Sequence, residues 1–131
     1  MVKIIKIPTF IDERGSLSVI EKNENFPFTV KRAFYLFDIK KGKNRGGHAH
    51  IECQQFLIAI NGSFKVRIKS ENKENIFLLN KKTEGLYIPK LTWAEEFDFS
   101  SDDTVCLVLA SHKYDLKDYI GDYNTFLKSF K

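Results

Sequence analysis

Between Val2 and Ala110 the sequence is cut into short runs of β-type residues, and this cadence limits the fold more than any other feature. The runs are Val2–Pro8, Ser16–Glu21, Arg32–Ile39, Gln54–Ile60, Ser63–Lys69, Ile76–Leu79, Leu86–Ile88, Glu95–Phe99 and Thr104–Ala110. Turn signals stand between them: Arg14-Gly15, Lys41-Gly42, Asn61-Gly62, Glu71-Asn72 and Ser101-Asp102-Asp103. Many short strands at this spacing read as an antiparallel sandwich or barrel. Asn61-Gly62, set between two apolar runs, predicts a tight hairpin, because both central residues of a type I′ turn need positive φ.

One helix is expected, at the end of the chain. Leu116, Tyr119, Ile120, Tyr123, Leu127 and Phe130 recur at three- and four-residue steps and form one apolar stripe. Asp115 would cap its first turn, and Asp118 would sit in that turn where negative charge suits the helix dipole. Such a helix serves for packing, at a barrel end or a dimer contact; the alternative is a tyrosine hydroxyl at its edge that enters the chemistry. With 131 residues and no repeat, low-complexity tract or composition break, residues 1–131 read as one domain. Twelve Phe, five Tyr and one Trp give so short a chain the area to close a core.

Charge and cysteine usage narrow the partners. Twenty-one Lys+Arg against 17 Asp+Glu give a net +4 that is scattered rather than blocked. That balance favours an anionic small molecule, such as a phosphorylated one, over nucleic acid, for which no binding signature is present. No apolar run approaches the ~20 residues of a membrane span, and no signal peptide is visible, so a cytoplasmic setting is expected. Cys53 and Cys106 are isolated in apolar stretches and read as buried thiols in a reducing compartment, neither a zinc pair nor a disulfide.

The chemistry concentrates in Gly42–Gly62, GKNRGGHAHIECQQFLIAING. In a strand, His48 and His50 point to the same face. Arg45 precedes them, and Gly46-Gly47 permits a bend or a close backbone approach. Three readings compete: two hydrogen-bonded structural histidines, a metal site, and metal-free acid–base catalysis by imidazoles that titrate near neutral pH. A metal site needs a third or fourth ligand, usually a carboxylate and another histidine.

The pattern Gly42-x5-His48-x-His50-x4-Gln55-x6-Gly62 resembles the first cupin motif, with Gln55 at the position of a metal-binding Glu. Gly85-Leu86-Tyr87-Ile88-Pro89-Lys90-Leu91-Thr92-Trp93-Ala94 is similar to the second, with Ala94 in the place of the last metal histidine. Glu52, in phase with both histidines, is the best substitute ligand. Asp12-Glu13-Arg14-Gly15-Ser16-Leu17, Arg45-Gly-Gly-His48-Ala-His50, and Trp93 before Phe97-Asp98-Phe99-Ser100 narrow the resemblance to the WxcM-like nucleotide-sugar 3,4-ketoisomerases, relatives of the dTDP-4-dehydrorhamnose 3,5-epimerases. The similarity extends through the Tyr114–Tyr123 tail.

The resemblance implies an all-β cupin, a jelly-roll barrel with a short C-terminal helix, working without metal or other cofactor. It implies action on a dTDP-linked keto-deoxysugar, dTDP-4-keto-6-deoxy-D-glucose, giving a dTDP-3-keto-6-deoxyhexose for a 3-amino sugar. A homodimer with an exchanged N-terminal strand is implied as well. By the same resemblance His48 is the base, with His50 as a proton shuttle or C4 donor. Tyr35 is a candidate hydrogen-bond donor in the cavity, its alternative a core aromatic. Arg14 and Arg45, each beside glycine in a turn, suit diphosphate oxygens. Arg32 is a secondary phosphate candidate, and Arg67 is assigned to the surface. Gln55 is a candidate substrate contact, while Trp93 either stacks on the ligand or packs in the core. His112 reads as structural. Outside this reading stand a cupin that only binds a nucleotide sugar and a metal-dependent cupin enzyme.

Overall fold

The computed structural model describes residues 1–130. Its strands are β1 (Lys3–Lys6), β2 (Thr9–Asp12), β3 (Gly15–Ser18), β4 (Arg32–Leu36), β5 (Arg45–His50), β6 (Gln55–Asn61) and β7 (Phe64–Ser70). β8 (Lys73–Leu79), β9 (Glu84–Ile88), β10 (Trp93–Phe97), β11 (Val105–Ala110) and β12 (Tyr119–Ile120) follow, and a helix α1 (Tyr123–Lys128) ends the chain. Two five-stranded antiparallel sheets face each other, one ordered β1-β9-β6-β11-β4 and the other β12-β5-β10-β7-β8. This is the expected double-sheet barrel.

Alternation along the strands fills it. Phe64, Val66 and Ile68 of β7 meet Leu57 and Ala59 of β6, Leu86 and Ile88 of β9, and Cys106 and Val108 of β11 between the sheets. The opposite face of β6 is also apolar: Phe56 and Ile58 are covered by Ile5, Ile7, Phe26 and Phe28. A strand covered on both faces reads as a continuous apolar run, as Gln54–Ile60 does. Both cysteines are buried and free.

Three expectations are corrected. Asn61-Gly62 does not close a hairpin, because β6 pairs with β9 and β11 while β7 pairs with β8 and β10. It is a corner where the chain changes sheets. Gly62 alone takes positive φ (68°), against Thr104 and Ser100, and the Asn61 side-chain amide donates to the Asp103 carbonyl. The tight hairpin falls instead at Glu71-Asn72, where Ser70 pairs with Lys73. Second, Thr9–Asp12 forms a strand of its own, paired with β3 around the Glu13-Arg14 turn.

Third, the single terminal helix is broken. Asp115 caps only a 3₁₀ turn, Leu116–Asp118, its side chain accepting from the Lys117 N–H. Tyr119 and Ile120 then pair with His50 and Ala49 as an edge strand, and Asp122 caps α1. Asp118 leaves the helical path because its carboxylate accepts the backbone N–H groups of Glu52 (2.8 Å) and Cys53 (3.1 Å). Tertiary hydrogen bonds here override the periodicity. The helix does serve for packing, but against a sheet rather than at a barrel end: Phe126 is fully buried against Trp93 and Ala49 on the outer face of the second sheet. No helix is long and apolar enough to cross a membrane among the described residues.

Candidate active site

Between the sheets, at the β4–β5 end, a cavity of about 230 Å³ opens. Its walls carry Arg45 and His48 from β5, Gln55 from β6, Ala94 and Glu96 from β10, and Tyr119 from β12; Phe34, Leu36 and Val108 supply the apolar remainder. Arg45 and His48 are three residues apart and would face opposite ways on a regular strand. The β5–β10 register shifts between Ala94 and Glu95, where Gly46 and Gly47 both hold φ of 79°. This glycine bulge changes the phase of β5 and turns Arg45 and His48 into one cavity. The bend expected at Gly46-Gly47 therefore carries a specific consequence for the site.

The histidines form a layered pair. Their ring centroids lie 4.9 Å apart, edge to face, and Tyr119 packs on both, 4.9 Å from His48 and 4.4 Å from His50. His48 touches the cavity. His50 lies behind it, 5% exposed, with Nδ1 3.2 Å from an Asp118 oxygen and Nε2 buried without a partner. Since a carboxylate only accepts, Asp118 fixes the proton on Nδ1 and leaves Nε2 as a lone pair. Burial lowers the His48 pKa, and Arg32 lowers it further. Burial, with His48 as neighbour, lowers that of His50 to about 4, although Asp118 pulls upward. Both rings are thus neutral at neutral pH.

Other candidates fall in different places. Arg32 lies near the pair electrostatically, its guanidinium over the Phe34 and Tyr114 rings at 5.2 and 5.6 Å and its Nε buried without a partner. Tyr35 does not face the cavity: β4 alternates, Phe34 and Leu36 point in, and Tyr35 is 60% exposed beside Phe37. Trp93 takes its packing alternative, buried with Phe126 on the outer face, because its neighbour Ala94 takes the inner one. Arg14 stands on the exposed β2–β3 hairpin, paired with Asp12 at 2.7 Å, away from the cavity wall. His112 bonds the neighbouring Ser111 hydroxyl, in keeping with a structural role.

Asp118 and Glu96 are absent from the sequence-based candidates for binding and catalysis, and Tyr119 enters them only as one of the tyrosines of the terminal stripe. The helical periodicity masked Asp118, and Glu96 lay inside an ordinary strand run. As for metal, the positions aligned with cupin ligands offer the imidazole of His48, the amide of Gln55 and the methyl of Ala94 to the cavity. Glu52 is exposed beside Lys90 and does not replace the missing carboxylate. His50, Cys53 and Asp118 do cluster, yet the Asp118 oxygens are already committed to His50 and two backbone N–H groups. This donor set does not fit a tight metal centre.

The family model described as WxcM-like, C-terminal, matches residues 1–131. The chain belongs to the WxcM-like family. A TDP-4-oxo-6-deoxy-alpha-D-glucose-3,4-oxoisomerase of Aneurinibacillus thermoaerophilus is 44% identical over 126 residues, 96% of this chain and 90% of that protein. The crystal structure of QdtA, a sugar 3,4-ketoisomerase from Thermoanaerobacterium thermosaccharolyticum in complex with TDP, matches with a TM-score of 0.93 and 41% identity. The match covers 98% of this chain and 93% of that one. A His-to-Asn mutant of QdtA is also known in complex with TDP-4-keto-6-deoxyglucose. At 16% identity, the 4-keto-6-deoxy sugar epimerase NovW of Streptomyces spheroides shares the fold, with a TM-score of 0.76, 92% of this chain and 68% of that one covered. Within this WxcM-like chain, the bulged Arg45–His48 segment and Gln55 are the parts of the motif that reach the cavity.

Proposed function

We propose that this WxcM-like protein is a nucleotide-sugar 3,4-ketoisomerase, converting TDP-4-keto-6-deoxy-D-glucose to a TDP-3-keto-6-deoxyhexose for 3-amino-sugar synthesis. The observation that carries the reading is a neutral, partly buried His48 on the wall of a cavity that also holds Arg45. Moving the ketone requires removal of the C3 proton, acidified by the neighbouring carbonyl, and protonation at C4 through an enediol. His48 is the base at C3, and proton return at C4 uses the His48–His50 pair. Arg45 takes the diphosphate in a guanidinium fork, with Arg32 adding positive potential and Gln55 hydrogen-bonding the sugar. No step runs through a metal. The two buried free thiols support a reducing, cytoplasmic setting.

The working unit is a homodimer in which the N-terminal hairpin exchanges between protomers. Support comes from β2 and β3, which leave Phe10, Ile11 and Leu17 between 58% and 77% exposed in one protomer. Apolar residues on so exposed a hairpin call for a cover, and exchange would bring Arg14 to the neighbour's substrate. Light scattering is expected to give twice the 15.3 kDa of one chain; a monomer at working concentration would refute the exchange. For the activity, the protein is incubated with TDP-4-keto-6-deoxyglucose in D₂O and followed by NMR. Deuterium is expected at the exchanging carbon together with a new ketosugar. Neither exchange nor product would defeat the assignment.

A further inference from the structure

Glu96 has no part in the reading so far, yet it is the buried carboxyl of the barrel interior. It enters from β10, 8% exposed, with Val66 opposite on β7, and it shares the cavity wall with His48 and Arg45. No salt bridge or side-chain hydrogen bond among the described residues ties it down; Arg45, Glu95 and its own backbone N–H are the polar influences on it. The glycine bulge is shaped around it, since a Cβ on Gly46 would collide with Glu96 Oε2. The side chains at the cavity and around it that carry charge or titrate are few. Arg45 and His48 come from β5, Tyr119 from β12, Cys106 from β11, and Glu95 acts from the far face of its own strand. The walls from β4, β6 and β7 bring Phe34, Leu36, Gln55 and Val66, none of them charged; Arg32, at the start of β4, acts on His48 and His50.

We propose that Glu96 is a catalytic acid that exchanges a proton between the two oxygens of the bound keto sugar, a role that rests on the ketoisomerase reading. The isomerisation moves two protons: one from C3 to C4 and one, in effect, from O3 to O4. While His48 holds the carbon proton, a second group must serve the oxygens. In the first half, His48 takes the C3 proton, the C3–C4 double bond forms, and the carbonyl electron pair moves to O4, which takes the proton of the Glu96 carboxyl. The enediol then stands between an imidazolium and a carboxylate. In the second half, the Glu96 carboxylate takes the O3 proton, the C3–O3 double bond forms, and C4 is protonated from the histidine pair. Substrate becomes product, and both protein groups regain their starting protonation.

The environment suits that task. Burial outweighs the attraction of Arg45 and raises the Glu96 pKa to about 7, so a large share of the protein carries the neutral acid near neutral pH. The acid form is the competent one, so activity is lost as pH rises through about 7. The same shift predicts a stability effect with its own sign. The folded pKa lies above the unfolded value, so the native state loses stability as pH rises from about 4.5 to about 7, and Glu96→Gln is relieved of that loss.

Three measurements test this on the full-length protein. Glu96→Gln is expected to lower kcat about a hundredfold and to lose the basic limb of its pH profile, with TDP binding retained. Glu96→Asp is expected to restore part of the rate and the basic limb. The thermal midpoint of Glu96→Gln relative to the native protein is expected to climb between about pH 5 and about pH 8. A Glu96→Gln protein within threefold of native kcat, or one that keeps the basic limb, overturns the proposal while the native enzyme still isomerises. A midpoint difference that does not change with pH overturns it too, because the carboxyl then does not titrate as the role requires. Native protein inert toward the keto sugar removes the ketoisomerase reading itself, a result told apart from the others by the native control.

Discussion

Replacing His48 with asparagine is expected to lower the isomerisation rate by about two to four orders of magnitude, the range lost with a general base. His48 is the one imidazole on the cavity wall, since His50 sits behind it. Asparagine approximates the ring's reach and can still hydrogen-bond the sugar, but it has no basic nitrogen. The loss therefore falls on kcat with little change in TDP affinity. The native pH profile carries a second mark of this residue. Burial, assisted by Arg32, holds the His48 pKa below its ordinary 6.5. A base must be unprotonated, so the acidic limb lies below that value and activity falls as pH drops through it. Steady-state kinetics and D₂O exchange on His48→Asn check both points. Exchange at the native rate in the variant would remove His48 from the role of base.

The barrel was legible because each short apolar run needs a second sheet to cover it, and the runs match strands closely from β4 through β11, except for β5, whose Arg45–His50 segment is not an apolar run. Pairing was less legible. Asn61-Gly62 has the composition of a hairpin turn, but a sheet-changing corner uses the same residues; what separates them is Thr104 and Ser100, some forty positions away. His48, Arg45 and Gln55, named from motif and chemistry, were readable as neighbours to the extent that all three line one cavity. Tyr35 was not, because the phase of β4 relative to the cavity is set by its pairing with β11, where Tyr35 stands opposite Leu107. Asp118 was misassigned for a related reason. An aspartate three residues after a capping aspartate looks like helix-dipole chemistry until the chain folds back and presents His50, 68 residues distant in sequence.

Asp118→Asn is expected to reduce kcat by about one to two orders of magnitude, as loss of a hydrogen-bonded partner of a functional histidine does. The amide can keep its oxygen on the Glu52 N–H, but its NH₂ then takes the place of the oxygen shared by the Cys53 N–H and His50 Nδ1, and it donates to the ring. The His50 proton moves to Nε2, so the lone pair at the inner edge becomes a donor and the proton path beside His48 is reversed. Nitrogen NMR of His50 reads this tautomer directly, which a purely structural role would leave unchanged. Asp118→Ala goes further: the two backbone donors lose their acceptor, at about 1–3 kcal/mol for a buried one, so the denaturation midpoint falls as well. The acid side separates the variants again. His50 is held to about 4 in the folded protein, below its unfolded value near 6.5. The unfolded chain therefore binds a proton that the native state refuses, and stability declines as pH falls from about 6.5 toward about 4. Without the attraction of Asp118 the folded pKa sinks lower still. The stability deficit of Asp118→Asn relative to the native protein is thus expected to widen toward the acid end of that window. A variant with native kcat, Nδ1-protonated His50 and a deficit independent of pH would show that Asp118 only closes the turn at Glu52 and Cys53 and does not set the state of the histidine pair.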